Sequence, residues 1–184
     1  MDLCLGRRLS ANTDGAQILE LAVALPLLVV FVVGIYDFSQ AFNTKEKLNF
    51  AARDGARLGS TQPTNDLSQG TPLSVTAIRD LVDADLLAAS INDCGLGQIM
   101  QTGALSWTAT GTCQNSSTFT LTIDRGFVVP PNPTASQPVQ QFATHIDLQY
   151  PYRWQFSSAI GLLFPGASYG TTNIDTDAFA ANQD

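Results

Sequence analysis

The sequence predicts an α+β protein, with a long N-terminal transmembrane and amphipathic α-helix packed on a small antiparallel β-sheet head. Three observations carry that prediction. An unbroken apolar run extends from Leu21 to Tyr36. A proline-free stretch at helical spacing, Asp37 to Ser60, continues it directly. Beyond Thr61 the pattern changes to short segments that alternate apolar residues with Ser or Thr, as half-exposed antiparallel strands do. The expected divisions are a leader at 1–15, a helix at 16–60 and an extracytoplasmic head at 61–184. Within the helix, 16–36 spans the membrane and 37–60 is amphipathic.

Length settles where the span begins. Leu21 to Tyr36 covers only about 24 Å as a helix, short of a hydrocarbon core of roughly 30 Å. Starting at Ala16 gives enough reach but places Glu20 at the membrane boundary, where a carboxylate is costly. Before the span the cations are Arg7 and Arg8, and after it the first is Lys45. That asymmetry orients the N-terminus to the cytoplasm and the head outward. Pro26 removes one backbone donor and is expected to kink the helix. Two plainer readings compete: a secretory signal cut after Ser39-Gln40-Ala41, and an uncleaved signal anchor. Arg7-Arg8 also suggests twin-arginine export, but Leu9-Ser10 follows and the apolar run is too greasy for it.

The second half of the helix carries Phe38, Phe42, Leu48, Ala52 and Ala56 at helical spacing. Beside them runs a row of small residues spaced four apart: Ala51, Gly55, Gly59. Glycine inside a helix costs about 1 kcal/mol relative to Ala, so the row implies close approach of a backbone or sheet. One helix from Ala16 to Ser60 would be about 67 Å long.

Three motifs in order carry a resemblance. They are Gly15-Ala16-Gln17-Ile18-Leu19-Glu20 leading into an apolar helix with Pro26 midway, Gly34-Ile35-Tyr36-Asp37-Phe38 closing it, and Ala51-Ala52-Arg53-Asp54-Gly55-Ala56-Arg57 following. Together they resemble the TadE-like minor pseudopilins, of the tight-adherence (Tad), type IV-like pilus. The resemblance implies a precursor cut between Gly15 and Ala16 by a prepilin peptidase. It implies as partners other pilin or pseudopilin subunits, an inner-membrane assembly platform and the lipid bilayer. It also implies roles in adhesion and secretion, with residence first in the inner membrane and then on the cell surface. Processing is assigned to Gly15, Ala16 and Glu20, and subunit packing to Glu20, Pro26, Gly55 and Gly59. The alternative is an uncleaved, membrane-anchored adaptor that uses its acidic head for binding.

Glu20 gains a physical role if the leader is cut. The new α-amino group of Ala16 is cationic, with an ordinary pKa of about 8. The carboxylate of one chain then meets the Ala16 ammonium of its neighbour in a low-dielectric filament core. The plainer reading is an interfacial Glu that snorkels to water.

In the head, Gln62-Pro63-Thr64-Asn65 and Gly70-Thr71-Pro72 read as turns. Ser74 to Ser90 reads as a helix with Ile78, Leu81, Val82 and Leu86 inward. Its acids Asp80, Asp83 and Asp85 read as a solvated face rather than a metal site, since no ligand loop surrounds them. Strands are expected at Ala104–Thr110, Thr118–Ile123 and Phe142–Tyr152, with a closing segment at Ser168–Phe179. In the third strand, Ile146 and Leu148 fall on one side, His145 and Asp147 on the other. The Pro-rich stretch Pro130 to Pro138 reads as a loop and Ser157–Phe164 as a short helix.

Cys94 and Cys113 form an even pair in the head, and an oxidising compartment favours a disulfide over two buried thiols. Closing a loop of that size is worth about 3 kcal/mol in the chain-entropy treatment. Cys4 lies in the leader. After Ser60 the chain has three Arg, no Lys and ten Asp, a net charge of −7, which argues against nucleic acid as a partner. The cations Lys45, Lys47, Arg53 and Arg57 all lie on the helix. No cofactor or enzymatic constellation is read. Gly166-Ala167-Ser168-Tyr169-Gly170 fits Gly-x-Ser-x-Gly, but no His follows it, and the sole His145 has no metal-spaced partner.

Overall fold

The computed structural model describes residues 13–129, 141–156 and 170–183. The Pro-rich loop, the expected helix at 157–164, most of the leader and Ser168 lie outside the described residues. Helix α1 runs from Thr13 to Thr61 and passes Pro26 without a break. Helix α2 spans Leu73–Ala88. The strands are β1 (Met100–Gln101), β2 (Ser106–Thr112), β3 (Thr118–Val129), β4 (Gln141–Arg153) and β5 (Thr171–Ala181). They form one antiparallel sheet in the order β1-β2-β3-β4-β5, each strand beside its chain neighbour.

Local chemistry explains where the elements depart from their expected bounds. β2 begins at Ser106 because the N–H groups of Thr102 and Gly103 both donate to the Ser106 carbonyl, making a turn of what reads as strand. β3 runs six residues past Ile123 through a register shift between Asp124 and Phe127. The charged pair Asp124-Arg125 hides that continuation from an alternation test. Helix α2 stops before Ser90, which adopts a left-handed φ of 58°. The two-residue β1 was not foreseen.

The core lies between the helices and one face of the sheet. From α1 it takes Leu48, Ala51, Ala52 and Ala56, and from α2 Val75, Ile78, Val82 and Leu86. The sheet supplies Trp107, Phe119, Leu121, Ile123, Ile146 and Leu148. The Trp107 indole N–H donates to the Gly70 carbonyl at 3.2 Å and fixes the linker between the helices. Gly55 and Gly59 set how closely α1 approaches. A Cβ on Gly55 would lie 2.7 Å from Val82 Cγ2, and one on Gly59 would lie 2.4 Å from Thr144 Cγ2. The row of small residues is therefore filled by this chain's own α2 and β4.

The sheet runs along the helix. Gly59 sits over Thr144, Gly55 over Ile146, and the Thr176 hydroxyl bonds Asn49, whose level is that of Leu148 in the register. Near the other end, Asp37 meets Gln155 and Phe156. β4 thus descends toward the apolar half of α1 while β5 climbs away from it. At the top, the Gln183 N–H donates to the Ser60 carbonyl at 2.9 Å.

Cys94 and Cys113 are joined as a disulfide. The loop that carries Cys94 lies along the outer edge of β2, where the Gly97 N–H donates to the Thr110 carbonyl at 3.0 Å. Gly111 permits this closeness, because a Cβ there would stand 2.8 Å from the carbonyl oxygens of Asp93 and Cys94.

Candidate functional site

The helix emerges from its partners at Tyr36 and Asp37, and the described side chains below them are bare. From Gln17 to Tyr36 they are exposed or at most half-buried. This segment makes α1 long and apolar enough to cross a membrane. Glu20 lies on this bare surface in a shallow groove with Leu19, Val23, Ala24 and Leu27. Those positions recur at three and four residues, which makes one stripe of the helix. Among the described residues Glu20 has no cation beside it. Pro26 lies in the same apolar half, and Gly15 and Ala16 are in the first turns of α1.

Sequence reasoning missed the junction. Asp37 is only 3% exposed although it follows the apolar run directly. Its two carboxylate oxygens accept the N–H groups of Gln155 and Phe156, each at 3.2 Å. The Tyr152 hydroxyl lies 3.5 Å from the Asp37 carbonyl oxygen. Burial, with the Asp37 and Tyr36 charges behind it, raises the Tyr152 phenol above its ordinary pKa. Around this clasp the rings meet edge to face: Tyr36 with Phe156, Phe38 with Trp154, and Tyr152 with Trp154. Tyr and Trp at the end of an apolar helix suit a membrane–water boundary. The signal was present, since an acid directly after a long apolar run needs a partner.

Above the junction the acids separate by environment. Asp80 is exposed and pairs with Arg79 at 2.7 Å. Asp83 and Asp85 are half-buried instead of forming the expected solvated face, and each has a buried oxygen without a hydrogen-bond partner. Burial raises both carboxyls, reinforced at Asp83 by Asp93 and at Asp85 by Asp54. The reason is position, because α2 turns Asp83 toward the loop after it and Asp85 toward α1. Arg125 is buried at 2% exposure. It donates to the Gln62 carbonyl at 3.0 Å, and burial lowers its pKa. His145 stacks on Phe127 at 4.6 Å and lies 3.3 Å from the Asp177 carboxylate. Among the described residues no group of three or more acids, His or Cys is placed to hold a metal ion.

The segment that builds the bare helix, the junction acid and the start of the buried small-residue row, Ala51 and Gly55, is also the segment that matches a known family. Residues 15–57 match the family model described as TadE-like protein. This stretch is TadE-like. The TadE-like stretch includes Gly15, Ala16, Glu20, Pro26, Asp37 and Gly55, and it ends before Gly59 and before every strand. No curated protein and no solved structure matches the chain.

Proposed function

We propose that the chain is a minor pilin-like subunit of a Tad-type, type IV-like pilus. Its work is packing rather than catalysis. In this reading α1 anchors the precursor in the inner membrane with a cytoplasmic N-terminus, and the head faces outward. A prepilin peptidase cuts between Gly15 and Ala16, and an assembly platform draws the mature subunit into a filament. The observation that carries the reading is Glu20, a carboxylate on the bare stripe of a TadE-like helix with no cation beside it among the described residues. A group in that position requires a partner or a proton once water is withdrawn. The Ala16 ammonium of a neighbouring subunit supplies that partner, and only after cleavage.

The test is the mass of the mature N-terminus in the membrane fraction. A start at Ala16 is expected. A start at Met1 would leave an uncleaved anchor and remove the cation proposed for Glu20, and a cut after Ala41 would make the head a secreted protein. With cleavage established, Glu20→Ala is expected to insert normally and to be missing from sheared pili, measured by immunoblot of both fractions. Normal incorporation of that variant would refute the role of Glu20.

A further inference from the structure

Two faces of the extracytoplasmic part have no partner in the described chain, and they carry opposite charge. On α1 the outward stripe reads Phe42, Glu46, Phe50, Arg53, Arg57, all exposed and spaced three or four apart. Phe42 and Phe50 are 66% and 61% exposed, large values for aromatic residues above the apolar run. The other face is the side of the sheet turned away from the helices. There the register sets Asp147 directly opposite Asp177, Gln149 opposite Asp175 and His145 opposite Phe179. Like charges directly opposite on adjacent strands destabilise the sheet. Burial raises the Asp147 carboxyl, and Asp175 and Asp177 push it further against the opposing pull of Gln149 and His145. Among the described residues the cation on this face is Arg153, six residues along β4 from Asp147 and opposite Thr171, while His145 lies 3.3 Å from Asp177; no arginine or lysine stands beside the Asp147–Asp175–Asp177 group.

The two faces also stand at the same height. Asn49 is level with Thr176 and Leu148, and Gly55 is level with Ile146. The Asp147–Asp177 pair lies between those levels, beside Arg53. They point in opposite directions, since the inner side of α1 packs on the inner side of the sheet. Copies anchored side by side would therefore present arginine to carboxylate without any axial shift.

We propose that a second copy of this chain docks front to back, the Phe50–Arg53–Arg57 stripe of one copy against the Asp147–Asp175–Asp177 sheet face of the next. The contact is heterologous, so it repeats into a ring or a helical row instead of closing as a two-fold dimer. Anionic lipid is the poorer occupant for the arginines. Arg53 stands about 25 Å beyond Tyr36 along the helix, more than two Debye lengths above the apolar run. The contact forms above the membrane and does not depend on cleavage at Gly15, so its test is independent of the processing test.

The experiment uses the full chain in membranes with Cys4→Ser, co-expressing one tagged copy with Arg53→Cys and a differently tagged copy with Asp177→Cys. Oxidation is expected to yield a mixed-tag dimer at least about tenfold above either variant alone. Dimers from Arg53→Cys alone would mean helix-to-helix contact, and those from Asp177→Cys alone sheet-to-sheet contact; either would overturn the proposal. So would no dimer, or a link to a different protein. As a second readout, Arg53→Asp is expected to reduce co-purification of the two tags about tenfold, with Asp177→Arg in the other copy restoring it. Unchanged co-purification with Arg53→Asp, or recovery that requires anionic lipid, would also overturn it.

Discussion

One helix has two surroundings here, bare along its lower half and packed against the head along its upper half, and the same residue types mean different things in each. In the lower half of α1, exposed Leu, Val and Phe side chains are the surface itself, because no other described element reaches them. In the upper half, apolar residues divide into a buried row led by Leu48 and Ala52 and three exposed rings, Phe38, Phe42 and Phe50. Glycine divides in the same way. A Cβ on Gly34 would meet nothing within 4 Å, while one on Gly59 would drive into Thr144 and Ile78. The residue between the halves is Asp37, whose carboxylate fastens the foot of the sheet to the helix. Exposure of an apolar residue is thus informative only once its solvent is known.

The largest effect that could break this comparison comes from Gly59→Val. Added carbon would overlap Thr144 Cγ2, and overpacking of this kind destabilises by about 3 kcal/mol. Denaturant unfolding in detergent, followed by Trp107 fluorescence, reads it. An unchanged midpoint would mean that the helix does not sit on β4 as described. Asp37→Ala comes next, at about 2 kcal/mol, since two N–H groups lose their charged acceptor. Hydrogen exchange should show the Gln155 and Phe156 amides opening first, with the strand centres still protected. Gly34→Ala is the control from the lower half. It is expected to leave head stability within about 0.5 kcal/mol of the parent, because no neighbour resists the methyl.

Much of this division was legible from residue order, and the reasons are physical. Helical spacing survives a change of solvent, so α1 could be drawn from Ala16 to Ser60 before its surroundings were known. The strands announced themselves wherever one face was buried and the other wet, as in β4 with Ile146 and Leu148 inward. Alternation failed where a bulge and Arg125 interrupted it, and β3 was read short. Gly55 and Gly59 signalled close approach, but spacing does not say whose backbone approaches; the described contacts are with this chain's own α2 and β4. The Asp37 clasp escaped because its donors are backbone groups more than a hundred residues away. Backbone donors leave no trace in the side-chain code.

The smallest effects concern charge near the upper half of α1, and they separate two acids by sign. Burial would raise the Asp66 carboxyl, but the Ser74 N–H and hydroxyl, at 2.9 Å each, and the charge of Arg125 outweigh it and hold it below 3.8. A depressed carboxyl contributes stability above its unfolded pKa and loses it as pH falls through the folded value. Asp85 behaves oppositely. Burial and the Asp54 charge on α1 raise it, so its contribution is complete below about 3.8 and fades as pH rises through the folded value. At pH 7 an ionised Asp85 is therefore accommodated less well by the folded protein than by the unfolded chain. Asp85→Asn is expected to raise the melting temperature by about 1 °C at pH 7, solvent screening keeping the gain small, and to lose that advantage near pH 4. Asp66→Asn should lower it at pH 7 and converge with the parent only in stronger acid. Paired melting curves of the two variants across pH 3 to 8 read both signs at once. Parallel shifts in the same direction would mean that Asp85 faces water rather than α1.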